Sequence, residues 1–322
     1  LNSPWKSTPE IKEAVDEFQT QWLTRHELPS DPQIYHYTTL IGMRGILESR
    51  AIRLGHISSL NDPSEVQYGQ KLIGDAIHEV VEQEDRRDLR TFLNKMLGVV
   101  NSLGSLRHHP FVFSFCESSN LLSQWRGYAG GGRGYSLGFN FYNETRIAAN
   151  LSDFNDGKKP YLRKLIYNRQ TQQKLVQDYL QGVAAAAREA LGRRLDFEAP
   201  EIVMASQAVN LDMLVSFKHP AFEEEGEWRM VRITRDDHDP SGVRFKEADG
   251  VLKPYRGMYL YDKGEGERPH FPLRSIRFGP MLEPNSTKAA ITLFLNSVAA
   301  NSHPIGLVPY QVMVNEAGYG LR

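Results

Sequence analysis

The stretch Phe111–Phe141 reads FVFSFCESSNLLSQWRGYAGGGRGYSLGFNF. Its first residues form an apolar run that ends in Ser114, Cys116 and Glu117. A short amphipathic turn, Leu121–Ala129, then carries Gln124, Trp125, Arg126 and Tyr128. Gly130–Gly134 is glycine-rich, and Tyr135–Phe141 alternates. Alternation with a period of two marks a half-buried strand, and a glycine cluster marks the loop between elements. The predicted order is strand, polar platform, tight loop, strand. A platform so rich in aromatic and basic groups is the first candidate for a ligand-binding face. The GGGRG run lacks two marks of a phosphate loop, which precedes a helix and usually supplies a Lys; here a strand follows and no Lys is present. It is predicted to be a turn, with Arg133 the one group able to steer a phosphate.

Outward from this stretch, helices and strands alternate irregularly. Ile11, Val15, Phe18 and Trp22 predict a helix over 9–25, which Pro29 and Pro32 end. Ile34–Thr38 is a short strand, and Thr38 or Thr39 caps the helix that follows it. Ala51–Leu54 is another strand. In Ser58–Glu65 (SSLNDPSE), Asp62 is an N-cap, Pro63 a first helical residue and Glu65 the far side of a capping box. Helices to about Glu84 and over Arg87–Ser102 follow. Beyond the opening stretch come a strand at Tyr161–Tyr167 and two helices, Gln170–Leu191 and Pro200–Phe217, that look like an insertion. Strands at Glu227–Ile233, Val243–Phe245, Gly257–Tyr261 and Ser275–Phe278, a helix at Thr287–Val298 and a strand at Tyr310–Val314 complete the chain. The predicted class is α+β in one domain, 1–322, with core segments 34–167 and 218–314 and a helical insertion at 170–217.

The chain has 322 residues and a net charge of −1, so no global basic field recruits nucleic acid. A single cysteine, Cys116, excludes an internal disulfide and a Cys-based zinc cage, and fits a reducing cytoplasm. No apolar run approaches the roughly 20 residues that span a bilayer.

Candidate chemistry concentrates in few places. His36 lies mid-strand between two tyrosines, beside a helix start; a satisfied core histidine is the competing explanation. Phe222–Arg229 (FEEEGEWR) runs four carboxylates into an apolar-alternating strand. In an extended chain Glu225, Glu227 and Arg229 share one face, with Trp228 and Met230 on the other. A carboxylate held there by an arginine can bind a sugar hydroxyl or stabilise a developing cation; a surface ion pair worth under about 1 kcal/mol is the alternative. Cys116, next to Glu117, suits a buried hydrophobe better than a nucleophile. His108–His109 has no third ligand at a helpful spacing, and no GxSxG elbow accompanies Ser114 or Ser123.

Several pieces recur together in one bacterial family. IYHYTTL with ILESRAIRL, SLNDPSE, the opening stretch, KLIY, FEEEGEWRMV and RFGP resemble, in that order, the family catalogued as domain of unknown function 2971, over about Ile34–Pro280. A looser resemblance carries chemistry. Tyr-His-Tyr-Thr on a strand, then a helix and a short strand, resembles the first motif of ADP-ribosyltransferases of the His-Tyr-Glu type. Phe113-Ser114-Phe115 fits that superfamily's second position and Glu225-Gly226-Glu227 its third, although no tyrosine stands where Ser114 does.

The resemblance implies a mostly antiparallel split sheet with flanking helices. It also implies cleavage of the nicotinamide–ribose bond of NAD, with NAD as substrate, and transfer of ADP-ribose to a protein, RNA or DNA acceptor. His36 would bind a ribose hydroxyl, and Tyr37 and Thr38 would offer backbone to the carboxamide. Trp125 or Tyr128 would stack on nicotinamide beside Ser114, and Arg126 or Arg133 would face the pyrophosphate. Glu227, favoured over Glu225, would bind the 2′-hydroxyl and stabilise the oxocarbenium-like cation. The implied setting is a toxin or antiviral defence effector with an antitoxin or sensor partner. Water as acceptor would make the same site an NAD glycohydrolase. The rival from another class is a non-catalytic module that binds nucleotides or nucleic acid through its aromatic and arginine platform.

Overall fold

The structure is a computed structural model, and it describes residues 33–60, 62, 64–101, 108–141, 145–148, 160–192, 209–235, 242–248, 250–262 and 269–318. The predicted helix over 9–25, Pro63 and the start of the helix predicted at 200 lie outside the described residues.

The architecture is α+β, with a mixed, mostly antiparallel sheet. Its order is β11-β10-β4-β1-β3-β2-β9-β5, with β6 beyond β7, β7 on β3, and β8 on β9. These strands are β1 (Gln33–Thr38), β2 (Ala51–His56), β3 (His108–Cys116), β4 (Tyr135–Asn140), β5 (Thr145–Ala148), β6 (Tyr161–Lys164), β7 (Glu227–Arg235), β8 (Arg244–Ala248), β9 (Val251–Asp262), β10 (Leu273–Phe278) and β11 (Met313–Glu316). Among these strands only β10 and β11 pair in parallel, and the isolated bridges Ile166↔Phe217 and His270↔Gly306 are also parallel.

β3 is the hinge of this arrangement. One edge pairs with β7 along its whole length, from His108↔Arg235 to Cys116↔Glu227. The other edge is shared: β2 takes Phe111 and Val112, and β1 takes only Cys116. The sheet therefore forks at Phe113–Phe115.

Alternation along β3 and β7 sorts the side chains into two cores. Val112, Val231 and Ile233 face a helical layer, with Ile73, Ile77, Phe92 and Met96. That layer comprises α2 (Ser64–Gln83), α3 (Arg87–Asn101), α5 (Arg169–Gly192) and the helical residues 209–216, here α6. Phe113, Phe115, Trp228 and Met230 face the second core, closed by α1 (Leu40–Ser49) and α7 (Pro284–Ala300). The helices of 170–217, predicted to be an insertion, belong to the first core through Val176, Tyr179, Met213 and Phe217. A buried Arg163–Asp212 pair at 2.6 Å ties α6 to β6.

The glycine run is a turn, as its composition predicts. Gly130, Gly131 and Gly132 have φ of 57°, 65° and 90°, the left-handed region that a side chain resists. Close approach also matters: a Cβ at Gly134 would lie 2.3 Å from the Thr38 carbonyl oxygen. The run locks β1 to β4 and has no helix behind it.

Candidate functional site

A cavity opens at the fork, on the side of the helical layer. Ser114, Cys116, Glu227 and Arg229 form its floor, and His36 and Tyr37 of β1 stand on one side. Gln124 and Tyr128 of α4 (Leu122–Tyr128) and Glu65 at the start of α2 form further wall. Lys218 and Glu225 complete it. The space is about 590 Å³ with its open mouth included.

His36 fills the fork. Where β1 leaves β3, its Nδ1 lies 2.9 Å from the Ser114 carbonyl oxygen. A carbonyl only accepts, so Nδ1 carries the proton and donates, and Nε2 keeps a lone pair for another donor. Burial lowers the ring's pKa to about 4, against a smaller upward pull from the Ser114 carbonyl. The imidazole is therefore neutral at neutral pH. Its ring lies 4.0 Å from that of Phe113.

Opposite stands a buried ionic network. Glu227 accepts from Arg229 Nε at 2.7 Å and from Lys218 Nζ at 2.6 Å. Arg229 Nη2 reaches Glu65 at 2.5 Å, and Nη1 donates to the Val215 carbonyl at 3.2 Å. Lys218 also meets Glu225 at 2.5 Å and Glu65 at 3.1 Å. Tyr167 fixes the strand entrance by accepting from the Glu227 backbone N–H at 2.8 Å.

Burial pushes the Glu227 carboxyl up, but Arg229 and Lys218 outweigh it and hold the pKa at about 2. Glu225 differs. Burial raises its pKa, and Lys218 only partly offsets that. Glu225 is bonded through one oxygen to Lys218 and is the more exposed of the two, at 15% against 6%. Counting Asp62, four carboxylates line the cavity against two cations, so the lining favours a positively charged guest.

His36, Tyr37, Ser114, Tyr128, Glu225 and Glu227 thus share one cavity. Thr38, Trp125, Arg126 and Arg133 do not line it, and each has a physical reason. Thr38 is buried under the glycine turn, which approaches its carbonyl. On α4, Gln124 and Tyr128 are four residues apart and share a face. Trp125 falls on the next face and is fully buried, with Nε1 donating to Asn120 Oδ1 at 2.9 Å and the ring edge-on to Tyr37 at 4.9 Å. Arg126 lies a further 100° round and is exposed. Arg133 ends the glycine turn and is exposed. Full burial removes Trp125 from the stacking role predicted for it, while Arg126 and Arg133, predicted to face the pyrophosphate, lie on the surface outside the cavity.

Trp125→Phe keeps an aromatic ring but loses the hydrogen bond and leaves part of the buried indole's space unfilled. It is expected to lower stability by about 2–3 kcal/mol and to leave ligand affinity unchanged in parallel denaturant and binding titrations. A large affinity loss at unchanged stability would return Trp125 to the ligand wall.

Glu65 and Lys218 are the site residues that sequence patterning misses. Glu65 is predicted as a cap, and Asp62 indeed accepts from the Ser64 N–H at 2.8 Å, but the Glu65 side chain goes to Arg229 and Lys218. Lys218 sits in a loop with no period to mark it.

The neutral histidines make an acid-side prediction. His36 and His56 are both held near 4, by burial and, for His56, then by the positive field of His109. Below pH 6.5 the unfolded chain binds these protons and the native one does not. Stability therefore falls as pH drops from about 6.5 to about 4. His36→Asn removes one such proton, so the slope of stability against pH across that window is expected to shrink by about 1.4 kcal/mol per pH unit. Equal slopes for parent and variant would place the proton on His36 in the native state.

Among the described residues, no helix is long and apolar enough to cross a membrane, and no group of three or more His, Cys, Asp or Glu side chains could hold a metal ion. No curated protein and no solved structure matches the chain. Residues 124–230, which run from the α4 wall of the cavity through Lys218 and Glu225 to Glu227 and Arg229, match the model of a family described as Protein of unknown function (DUF2971).

Proposed function

We propose that this cavity cleaves the nicotinamide–ribose bond of NAD and passes ADP-ribose to an acceptor, as the resemblance to His-Tyr-Glu ADP-ribosyltransferases implies. The observation that carries the proposal is that His36 and the carboxylates of Glu225 and Glu227 line one cavity at the fork of a mostly antiparallel sheet. The nicotinamide ring of NAD is cationic and the reacting ribose gains positive charge, which suits an acid-rich lining. The anionic pyrophosphate belongs outside it, towards the mouth.

In this proposal His36 Nε2 accepts from a ribose hydroxyl, and Tyr128 packs on nicotinamide. Glu225 meets the 2′-hydroxyl and the developing cation. Glu227, its oxygens engaged by Arg229 and Lys218, anchors the site from below. A macromolecular acceptor makes the protein a modifying effector, in keeping with a toxin or defence setting. Water as acceptor makes it a glycohydrolase.

Incubation with NAD labelled in the adenylate, in the presence of lysate, distinguishes these outcomes. Free nicotinamide with label on protein or nucleic acid supports transfer. Nicotinamide without such label means hydrolysis. Neither product, together with no thermal shift at millimolar NAD, would overturn the proposal.

A further inference from the structure

On the solvent face of β2, β8 and β9 the register sorts side chains by charge. β8 pairs with β9 through Arg244↔Tyr255 and Lys246↔Lys253, and β2 pairs with β9 through Arg53↔Gly257 and Gly55↔Tyr255. With a period of two, Arg53, Arg244, Lys246, Lys253 and Tyr255 therefore project from one side. The alternate residues Leu54, Met258 and Leu260 enter the core. Among the described residues none of these four cations has a carboxylate partner, and no acid occupies the face. Glu247 lies on the opposite side, where it accepts from the Gly250 N–H at 2.7 Å. A chain of net charge −1 thus holds four cations together with no carboxylate partner among the described residues. The crowding is felt by Lys246, whose pKa is lowered by burial and then by Arg53 and Lys253.

Two glycines interrupt this face without a backbone reason. Neither Gly55 nor Gly257 has a positive φ, and a Cβ built on either meets nothing within 4 Å. A glycine inside a strand weakens it, and it often marks a place where a ligand approaches the backbone closely. Here the pair leaves an open shelf beside Tyr255, whose ring carries the Arg53 guanidinium at 5.2 Å.

We infer that this face binds single-stranded nucleic acid, with phosphates on Lys246, Lys253 and Arg244 and bases stacked over Tyr255 and Arg53 along the glycine shelf. Open sheets that present an aromatic among cations bind unpaired bases in this way. An anionic membrane fits less well, because, of the hairpin's exposed apolar residues, Phe245 and Leu252 project from the opposite side and only Val251 from this one. The inference does not rest on the NAD proposal, since it needs neither His36 nor Glu225.

Fluorescence anisotropy with the full chain and labelled 20-nucleotide single strands of RNA and of DNA tests it, beside a duplex of the same sequence and sedimentation with phosphatidylserine vesicles. At least one single strand is expected to bind more tightly than the duplex, with a slope of log affinity against log salt of roughly −2 for three phosphate contacts. Lys246→Glu with Lys253→Glu is expected to weaken binding at least about tenfold and to flatten that slope. Tyr255→Ala is expected to weaken it about tenfold with the slope unchanged. Gly257→Val fills the shelf with a strand-favouring residue, so it is expected to keep or raise the melting temperature while lowering affinity. Should the double charge reversal melt early, Gly257→Val decides alone. Absence of binding to both single strands, parent-like affinity in folded variants, or tighter binding to duplex or vesicles would overturn the inference.

Discussion

Arg229→Met is expected to destabilise the protein by about 3–5 kcal/mol at pH 7, the usual cost of removing one partner from a buried ionic network. Arg229 is 2% exposed and bonds Glu227, Glu65 and the Val215 carbonyl. Its loss leaves Glu65, Glu225 and Glu227 to Lys218 alone. The pH dependence follows from Glu227, whose native pKa of about 2 lies below its ordinary 4.5. A depressed carboxylate contributes stability that is present above 4.5 and is lost as pH falls towards 2. The deficit of the variant is therefore largest above pH 4.5 and narrows in acid, where these carboxylates protonate. Arg229→Lys keeps the charge but not the planar fork, and should fall between parent and Met. Urea titrations at pH 7 and pH 4 measure both effects. A loss below about 1 kcal/mol at pH 7 would mean that the network behaves like a solvated surface cluster.

On the proposed reaction, Glu225→Gln is expected to lower NAD cleavage by about 10²–10³, the scale of removing one preorganised group that stabilises transition-state charge, while leaving stability near that of the parent. Burial already disfavours the ionised form of Glu225, so a neutral amide of the same shape gives up only the contact with Lys218. Glu227→Gln reverses the pattern: it takes the charge from between Arg229 and Lys218, so it costs stability first. Measuring nicotinamide release and urea midpoint on both variants separates the roles. If Glu227→Gln stops turnover in a stable protein and Glu225→Gln does not, the roles exchange. If neither changes turnover, the proposal that this cavity cleaves NAD fails.

Periodicity and capping made most elements legible before the fold was known: Thr39 caps α1, accepting from the Gly42 N–H at 3.3 Å, and the FEEEGEWR run enters a strand with Glu227 and Arg229 on one face. What stayed hidden is non-local. The Glu65–Arg229 contact joins residues 164 apart, and a local cap already accounts for a Glu at that position, so no pattern asks for a second role. Trp125 misled because residue type suggests a ligand while helical phase decides orientation. Gln124 and Tyr128, four apart, face the cavity, and Trp125 turns inward. The basic face of β8 and β9 was equally out of view, because strand register sorts charges that overall composition averages away.

The fork at Ser114 also bears on when the site comes into being. Its parts arrive from residues 36, 65, 114, 218 and 227, and the contacts that seat them span 78 residues for His36 and 164 for Arg229. Local hairpins such as β8–β9 close early, whereas pairings of such long range wait for the chain to collapse. During synthesis the cavity therefore has no precursor: until β7 lies along β3, Ser114 has no neighbour at position 229 and Glu65 has no arginine to hold. A nascent chain halted before β7 would carry the first strand and its histidine but no site. Any chemistry the cavity performs is thereby confined to the finished protein.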